Sequence, residues 1–342
     1  MFPADLPPVD ETELRSASEG YFLSLESRSH EHECFQWSES TKVTISASNV
    51  TWLQLFEDNQ AGCSLLALHP PDRPTQVVAL YLHGRWWSVD DVTRTSCKSR
   101  AGLVPVITLE FFEGRGSHLN VLTVLNTRGK QRALLQYVHI QDCRLSFSSG
   151  AVEKVKSGRL KLRCFLQVRS FTERLILFLL SQVVDGPSRT EALFSPHPRT
   201  ERAKLLWVDG RAVGFYTVKH KGSLCDGRSS RCYLLPVLDS VLVRKSWRRR
   251  GLGLKMLADF CSSFPGEEEL GVSVPLSSSM VAVCRRFLQL HEDHRERLYE
   301  VEAPGGWTQR RNIWLNIQLR RYPLSRDDAG DEGQKDSSRS PD

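Results

Sequence analysis

The spacing of apolar residues near the start of the chain changes from that of a helix to that of strands. From Asp10, with Glu13 placed as a capping-box partner, small or apolar residues recur on one helical face: Leu14, Ala17, Tyr21 and Leu25. Short β-branched or aromatic runs then predict five strands: Lys42 to Ile45, Val50 to Phe56, Ser64 to Leu68, Val77 to Leu82 and Arg85 to Val89. We therefore expect residues 1–103 to form a helix and a small, mostly β region, with a tight turn at His83-Gly84.

Residues 104–166 show no strong amphipathic face. Weak strand-like runs at 104–109, 119–125 and 134–140 are interrupted by Gly, Arg and Ser. The net charge also changes here, from −6 over residues 1–100 to +7 over 101–170 and +5 over 171–342. This segment is therefore interpreted as a basic insertion, either weakly folded or disordered. Residues 323–342 hold almost nothing apolar, so we expect a disordered tail.

Helices and strands alternate over residues 167–322. Phe171, Leu175, Phe178 and Leu179 mark a helix that ends near Asp185. A hairpin with Asp209-Gly210 at its turn follows. The remaining predicted elements are a strand at 233–243, a helix at 251–263, a strand at 270–274, a helix at 278–290, a strand at 298–301 and a final strand at 313–319. The pattern predicts an α+β fold with a mixed sheet flanked by helices.

Several protein classes are excluded at this stage. No basic start and apolar run follow Met1, and the longest apolar run, Leu175 to Leu180, is six residues, far short of the roughly 20 that span a bilayer. The nine cysteines are scattered and never spaced C-x-x-C, which argues against a disulfide framework and a zinc site. We therefore expect an intracellular protein of the nucleus or cytoplasm, with reduced thiols and no membrane span.

The most informative stretch joins a strand end, a basic turn and a glycine-rich helix start. N–H groups at a helix start attract anions, and glycines at 251 and 253 would let a phosphate approach the backbone. A P-loop would need Gly-Lys-Ser/Thr, and a Rossmann fingerprint would need a third glycine where Met256 stands. Two simpler interpretations stay open: a solvated basic turn, or a nuclear-import patch from Arg244 to Lys255.

The spacing Arg248-x-x-Gly251-x-Gly253 resembles the acetyl-CoA signature of the Gcn5-related N-acetyltransferase (GNAT) superfamily. The predicted elements of residues 171–320 also follow an order similar to that of the superfamily. This resemblance implies acetyl-CoA as the cofactor, with its pantetheine arm against the backbone of Leu242 and Val243. It also implies that the pyrophosphate is held by Arg248, Arg249, Arg250, Gly251, Leu252 and Gly253.

Candidate acid and base groups are few. Asp239 stands roughly where many GNAT members carry an acidic base, although a strand-edge aspartate is the simpler interpretation. The superfamily often places a Tyr as acid in the later helix, but Val283 to Phe287 contains none; Cys284 could substitute or be a buried core thiol. His291 and His294 do not follow the zincin order, so no metal site is predicted. Aromatic and Arg residues do not interleave in the basic segment, so nucleic-acid binding is not expected.

Several strings carry a closer resemblance: Val78-Ala79-Leu80-Tyr81-Leu82, Trp86-Trp87-x-x-Asp90-Asp91, Ala212-Val213-Gly214-Phe215-Tyr216, Leu235-Pro236-Val237-Leu238-Asp239 and Pro275-Leu276-Ser277-Ser278. Together they resemble the soluble lamin-associated protein family, also called family with sequence similarity 169, and in particular its shorter B type. The resemblance extends to about residue 320, without a counterpart for residues 104–166, and implies a nuclear setting.

Two functions follow as alternatives. The first is a GNAT-like N-acetyltransferase that transfers an acetyl group from acetyl-CoA to the amine of an unidentified protein or small molecule. The second is a catalytically inactive, GNAT-derived scaffold that binds a nuclear protein partner. The missing Tyr favours the second, whereas Asp239 and the intact glycines favour the first.

Overall fold

The computed structural model describes residues 2–7, 10–27, 33–56, 64–96, 106–111, 119–124, 163–185, 197–199, 201–226 and 230–322. The chain divides into two compact units. Among the described residues, the N-terminal unit contains those up to 179 together with 207–212, and the C-terminal unit contains those of 180–206 and 213–322. No helix in this described part is long and apolar enough to cross a membrane.

The N-terminal unit begins with helix α1 (Glu11–Ser27). Its start is capped by Asp10, whose carboxylate accepts hydrogen bonds from the backbone N–H groups of Thr12 at 2.8 Å and Glu13 at 3.3 Å. Leu14 and Leu25 are buried as predicted. The prediction for Ala17 was wrong: it is exposed, and Ser18 is buried in its place because its hydroxyl donates to the Leu14 carbonyl oxygen at 2.8 Å.

Two antiparallel sheets follow α1. The first pairs β1 and β2, and the second has the order β3-β4-β5-β6. Their bounds are β1 (Glu33–Gln36), β2 (Lys42–Ile45), β3 (Val50–Gln54), β4 (Ser64–Leu68), β5 (Ala79–Leu82) and β6 (Arg85–Ser88), after which comes the short helix α2 (Val89–Val92). His83 and Gly84 form the predicted turn with φ of 51° and 74°. Strand β1 was not predicted.

Within residues 104–166, β7 (Val106–Phe111) and β8 (Leu119–Val124) pair antiparallel, with Val106 opposite Val124. They correspond to two of the three weak runs. The third run at 134–140 and the tail at 323–342 lie outside the described residues. Strand β9 (Arg163–Gln167) and helix α3 (Phe171–Phe178) complete the unit, and a π-helical turn at Leu179–Val183 continues α3.

The C-terminal unit is built on a mixed sheet. Six strands run in the order β15-β14-β13-β12-β11-β10; β12, β13 and β14 are parallel, while β11 and β15 are antiparallel to their neighbours. The bounds are β10 (Arg202–Val208), β11 (Arg211–Lys219), β12 (Val237–Val243), α4 (Leu252–Ser262), β13 (Leu270–Ser273), α5 (Ser278–Leu290), β14 (Leu298–Val301), β15 (Arg310–Asn312) and α6 (Ile313–Gln318). The predicted α+β class is confirmed, and so is the order of elements through β14.

Two predicted strands were wrong in their extent. Residues 313–319 are not a strand: the Asn312 side chain accepts from the backbone N–H of Leu315 at 2.9 Å and starts helix α6. The helix buries Ile313 and Ile317, whereas Leu315 is 55% exposed, which is helical and not alternating burial. Residues 233–236 precede β12, which begins only at Val237.

Candidate functional site

Strand β12 separates from β13 partway along its length. The parallel ladder joins Val237 to Gly271 and Leu238 to Val272, and these are its only pairs in the described chain. On its other side β12 stays paired with β11 as far as Val243, which lies opposite Gly214. The edge of β12 beyond Leu238 that faces β13 is therefore outside the ladder. Such an edge presents backbone N–H and C=O groups to an extended ligand that carries amides.

A β-bulge lies where this separation begins. Tyr216 pairs with Val241 and Val218 with Leu238, so Asp239 and Ser240 together lie opposite Thr217. The backbone N–H of Ser240 donates to the Thr217 hydroxyl oxygen at 3.1 Å. The extra residue bends β12 locally and places Asp239 at the point where the two strands part.

Asp239 is held by two neighbouring strands. The Ser273 hydroxyl donates to its Oδ1 at 2.6 Å, and Lys219 Nζ lies 3.9 Å from its Oδ2. The Asp239 side chain is 27% exposed. A carboxylate that is oriented in this way and still reached by solvent can accept a proton from an incoming group.

A buried carboxylate, Glu201, supports the Lys219 ammonium. Lys219 Nζ lies 2.8 Å from Glu201 Oε1, and His197 Nδ1 lies 2.9 Å from Glu201 Oε2. Burial alone would raise the pKa of Glu201, but the bonds and charges of His197 and Lys219 outweigh it and lower that pKa to about 2. Sequence reasoning missed this group; the i, i+4 spacing of His197 and Glu201 was its only local signal.

The basic turn that follows β12 is exposed and internally bonded. Its three arginines, 248–250, are all exposed. Arg248 Nε donates to the Val243 carbonyl oxygen at 3.0 Å, which folds this side chain back over the end of β12. The Arg250 guanidinium lies 4.8 Å from the centre of the Trp247 ring and donates to the Ser246 carbonyl oxygen at 3.0 Å. The turn therefore has a defined shape and a positive surface.

Two glycines shape the start of α4 for different reasons. Gly251 is the N-cap with φ of 70°, a left-handed conformation that favours glycine, and it has no side chain with which to cap the helix. A methyl group added at Gly253 would lie 3.2 Å from Val283, so this glycine also serves the packing of α4 on α5. The first N–H groups of α4 form the kind of helix terminus that binds anions.

A buried ion pair fixes α4 against the sheet. Lys204 Nζ on β10 lies 2.8 Å from Asp259 Oδ2 on α4 and donates to the Ser263 hydroxyl oxygen at 2.8 Å. The Tyr216 hydroxyl on β11 donates to the same Asp259 oxygen. Asp259 is 1% exposed. The network was not predicted, because its members are far apart in the sequence.

The other candidates lie apart from this region. Cys284 is fully buried and its burial raises the thiol pKa, which agrees with a core thiol. His291 and His294 pack near Phe287, and the described residues contain no group of three or more side chains that could hold a metal ion. Trp86 packs edge-on against Tyr81 in the N-terminal unit.

Comparison with known proteins identifies relatives but no family model. Protein FAM169B of Mus musculus is 34% identical over 330 residues, which cover 94% of this chain and 79% of that protein. Protein FAM169BP of Homo sapiens is 47% identical over 120 residues, which cover 34% of this chain and 62% of that protein. A solved aminoglycoside N-acetyltransferase, AAC(6')-Iy in complex with CoA, is 15% identical with a TM-score of 0.23, over 40% of this chain and 89% of that one. A TM-score this low does not establish a structural relationship between the two chains.

Proposed function

The chain belongs to the family of protein FAM169B, and from the arrangement around β12 we propose that it binds acetyl-CoA there and transfers the acetyl group to an amine. The observation that supports the proposal is the early end of the β12–β13 ladder at Leu238, with the glycine-initiated start of α4 beyond the end of the same strand. An amide-containing arm fits the free edge of β12. A pyrophosphate fits the helix start and the arginines beside it.

The charge of the chain's residues suits this ligand. Leu242 and Val243 lie on the stretch of β12 whose β13-facing edge is outside the ladder, and they would face the pantetheine arm, while residues 248–253 would hold the pyrophosphate. The acyl end would then lie near Asp239, where the strands part. The positive turn and the helix terminus add two favourable electrostatic contributions for a doubly negative group.

The proposed transfer uses Asp239 as the base. The nitrogen lone pair of the amine attacks the thioester carbonyl carbon, the C–S bond breaks, and the amine proton passes to the Asp239 carboxylate directly or through one water molecule. The products are an N-acetylated amine and free CoA thiol. Lys219 and Ser273 keep the carboxylate oriented toward the place where the strands separate.

Calorimetric titration of acetyl-CoA tests the binding step. Gly251→Asp places a carboxylate where the pyrophosphate would bind, and Gly251→Asn is its matched control, since Asn has the same shape, tolerates the left-handed conformation comparably and carries no charge. We expect saturable binding by the wild type, binding by the Asn variant and loss of binding in the Asp variant. Equal binding by both variants, or no binding by a folded wild type, would contradict the proposal.

A second candidate function is a GNAT-derived scaffold without catalysis, and the burial of Cys284 favours it because helix α5 then supplies no acid. Asp239→Asn separates the two candidates. If the protein is an enzyme, this variant should bind acetyl-CoA normally and lose at least about a hundredfold in turnover, the usual contribution of a general base. If the wild type binds acetyl-CoA but releases no CoA thiol with any of a panel of primary amines, the result would support the scaffold.

A further inference from the structure

Lys219 lies beside the proposed base. It is the last residue of β11 and pairs with Val237 at the start of β12, two residues before Asp239. The two side chains meet across the strands, with Lys219 Nζ 3.9 Å from Asp239 Oδ2. A primary amine therefore lies next to the carboxylate that the proposed transfer uses to accept a proton.

Both side chains remain open to a ligand. That of Lys219 is 26% exposed, and that of Asp239 is 27% exposed. Glu201, which is 3% exposed, also contacts the amine, with its Oε1 2.8 Å from Lys219 Nζ. Lysine has a flexible four-carbon stem, so its nitrogen can leave Glu201 for Asp239 while β11 stays in place. The amine is thus held close to the base without being sealed in the core.

Two other lysines of this unit contact different carboxylates. Lys204 Nζ lies 2.8 Å from Asp259 on α4, and Lys221 Nζ lies 3.4 Å from Glu267, between α4 and β13. The side chain of Lys221 is 60% exposed, more than twice the exposed fraction of Lys219. Solvent exposure therefore favours Lys221 as the target of an unassisted acylating reagent, whereas the neighbouring base favours Lys219.

We propose that this site transfers the acetyl group of acetyl-CoA to the ε-amine of Lys219 in the same molecule. The inference rests on the proposed function, which brings the thioester to Asp239, and it identifies one amine acceptor. Lysine amines act as nucleophiles toward carbonyl groups in many enzymes. Because β11 and β12 hold the amine and the base side by side, no second molecule has to be bound and oriented before the transfer.

The transfer is balanced for atoms and charge. The Lys219 ammonium first gives one proton to the Asp239 carboxylate, directly or through one water molecule. The freed lone pair on Nζ attacks the thioester carbonyl carbon, a C–N bond forms, and the C–S bond breaks with its electron pair leaving on sulfur. The second proton passes from the nitrogen to the departing thiolate. The products are Nε-acetyl-Lys219, the CoA thiol and a proton that Asp239 returns to water.

The reaction can occur only once in each molecule. Acetylation removes the charge of Lys219, so Glu201 loses its ion pair with this residue, and the new acetyl group stays on the nitrogen beside Asp239. We therefore expect one equivalent of CoA to be released per chain when no other amine is added. Hydrolysis of acetyl-CoA would instead continue beyond one equivalent.

The test treats the whole chain with acetyl-CoA that carries an isotope-labelled acetyl group, without any added amine. Mass spectrometry compares the label on Lys219 and Lys221 within one peptide, so that Lys221 serves as an internal control. Early in the reaction we expect at least about tenfold more label on Lys219, at a rate that does not change when the protein is diluted. Lys219→Arg, which keeps a positive charge beside Glu201, should abolish the release of one equivalent of CoA.

Asp239→Asn tests the base. This variant should label Lys219 at least about a hundredfold more slowly and label Lys221 at the wild-type rate. If it does not fold, Gly251→Asp and Gly251→Asn replace it: at the same acetyl-CoA concentration, the Asp variant should lose the labelling of Lys219 and the Asn variant should keep it. Equal labelling of Lys219 by the two Gly251 variants, or by wild type and Asp239→Asn, would overturn the inference.

Calorimetry separates failure of this inference from failure of the proposed function. If the folded wild type binds acetyl-CoA but Lys221 takes as much label as Lys219 or more, the inference is overturned, and the proposed transfer to other amines stands. If the folded wild type does not bind acetyl-CoA, the proposed function is overturned and the inference with it.

Discussion

Replacing Glu201 by Gln should remove a stabilising contribution that depends on pH. The neighbouring His197 and Lys219 lower the pKa of Glu201 from 4.5 to about 2 in the folded protein. A shift of this size corresponds to about 3 kcal/mol of stability at pH 7. Because the folded-state pKa is the lower one, this contribution is present above pH 4.5 and is lost as the pH falls toward 2. By pH 3 it should have fallen to about 1.5 kcal/mol.

The measurement is the free energy of unfolding of wild type and Glu201→Gln in urea, at several pH values between 7 and 3. Carboxylates remote from Glu201 titrate alike in both proteins and cancel, so the change with pH in the difference between wild type and variant reports on Glu201 together with the groups that it contacts, His197 and Lys219. The side chain is 3% exposed, and solvent screening therefore reduces the effect little. A wild-type advantage below about 1 kcal/mol at pH 7, or one that stays constant down to pH 3, would refute the reasoning.

Three further predictions concern packing and localisation. Asp259→Ala leaves Lys204 without its carboxylate and should cost about 3 to 5 kcal/mol of unfolding free energy by thermal or urea denaturation; a cost under 1 kcal/mol contradicts the ion-pair account. Gly214→Ala would place a methyl group 2.4 Å from the Leu242 carbonyl oxygen and should destabilise the C-terminal unit, whereas Gly20→Ala in α1 meets nothing within 4 Å and should be neutral or stabilising by up to about 1 kcal/mol. If the basic turn is a nuclear-import patch, replacing the three arginines at 248–250 by alanine should abolish the nuclear fluorescence of a tagged protein that still folds.

The element order of the C-terminal unit was predictable because its sequence signals are local and agree with one another. Helix α5 begins after Ser277, whose side chain accepts from the N–H of Met280, and its apolar spacing continues to Leu290. At residues 313–319 the signals conflict: alternating apolar residues suggested a strand, but the Asn312 cap and burial of Ile313 and Ile317 give a helix. Over so few residues, the helical and the strand spacing of apolar positions cannot be told apart unless the helix cap is recognised.

The candidate site was predictable only where it is continuous in sequence. Asp239 and the turn before α4 lie within fifteen residues of one another; the glycine spacing pointed to the turn, and the superfamily resemblance pointed to Asp239. The support of Asp239 comes from Lys219, Ser273 and Glu201, which the sheet brings together across long separations. Contacts of this kind depend on register, which no local pattern encodes.

The two parts of the proposed site lie at opposite ends of the β12 segment that has no ladder pairs with β13, and this has a consequence for the proposed catalysis. The segment from Asp239 to Val243 is braced by β11 along its other edge, so the distance between the proposed base and the turn proposed to bind the pyrophosphate is fixed by the strand and not by a loop. Binding energy gained at the turn can then hold a thioester at Asp239 without a further loss of entropy at the reacting atoms. On this reasoning a change at Gly251 affects affinity and turnover together, whereas a change at Asp239 affects the chemical step with affinity unchanged.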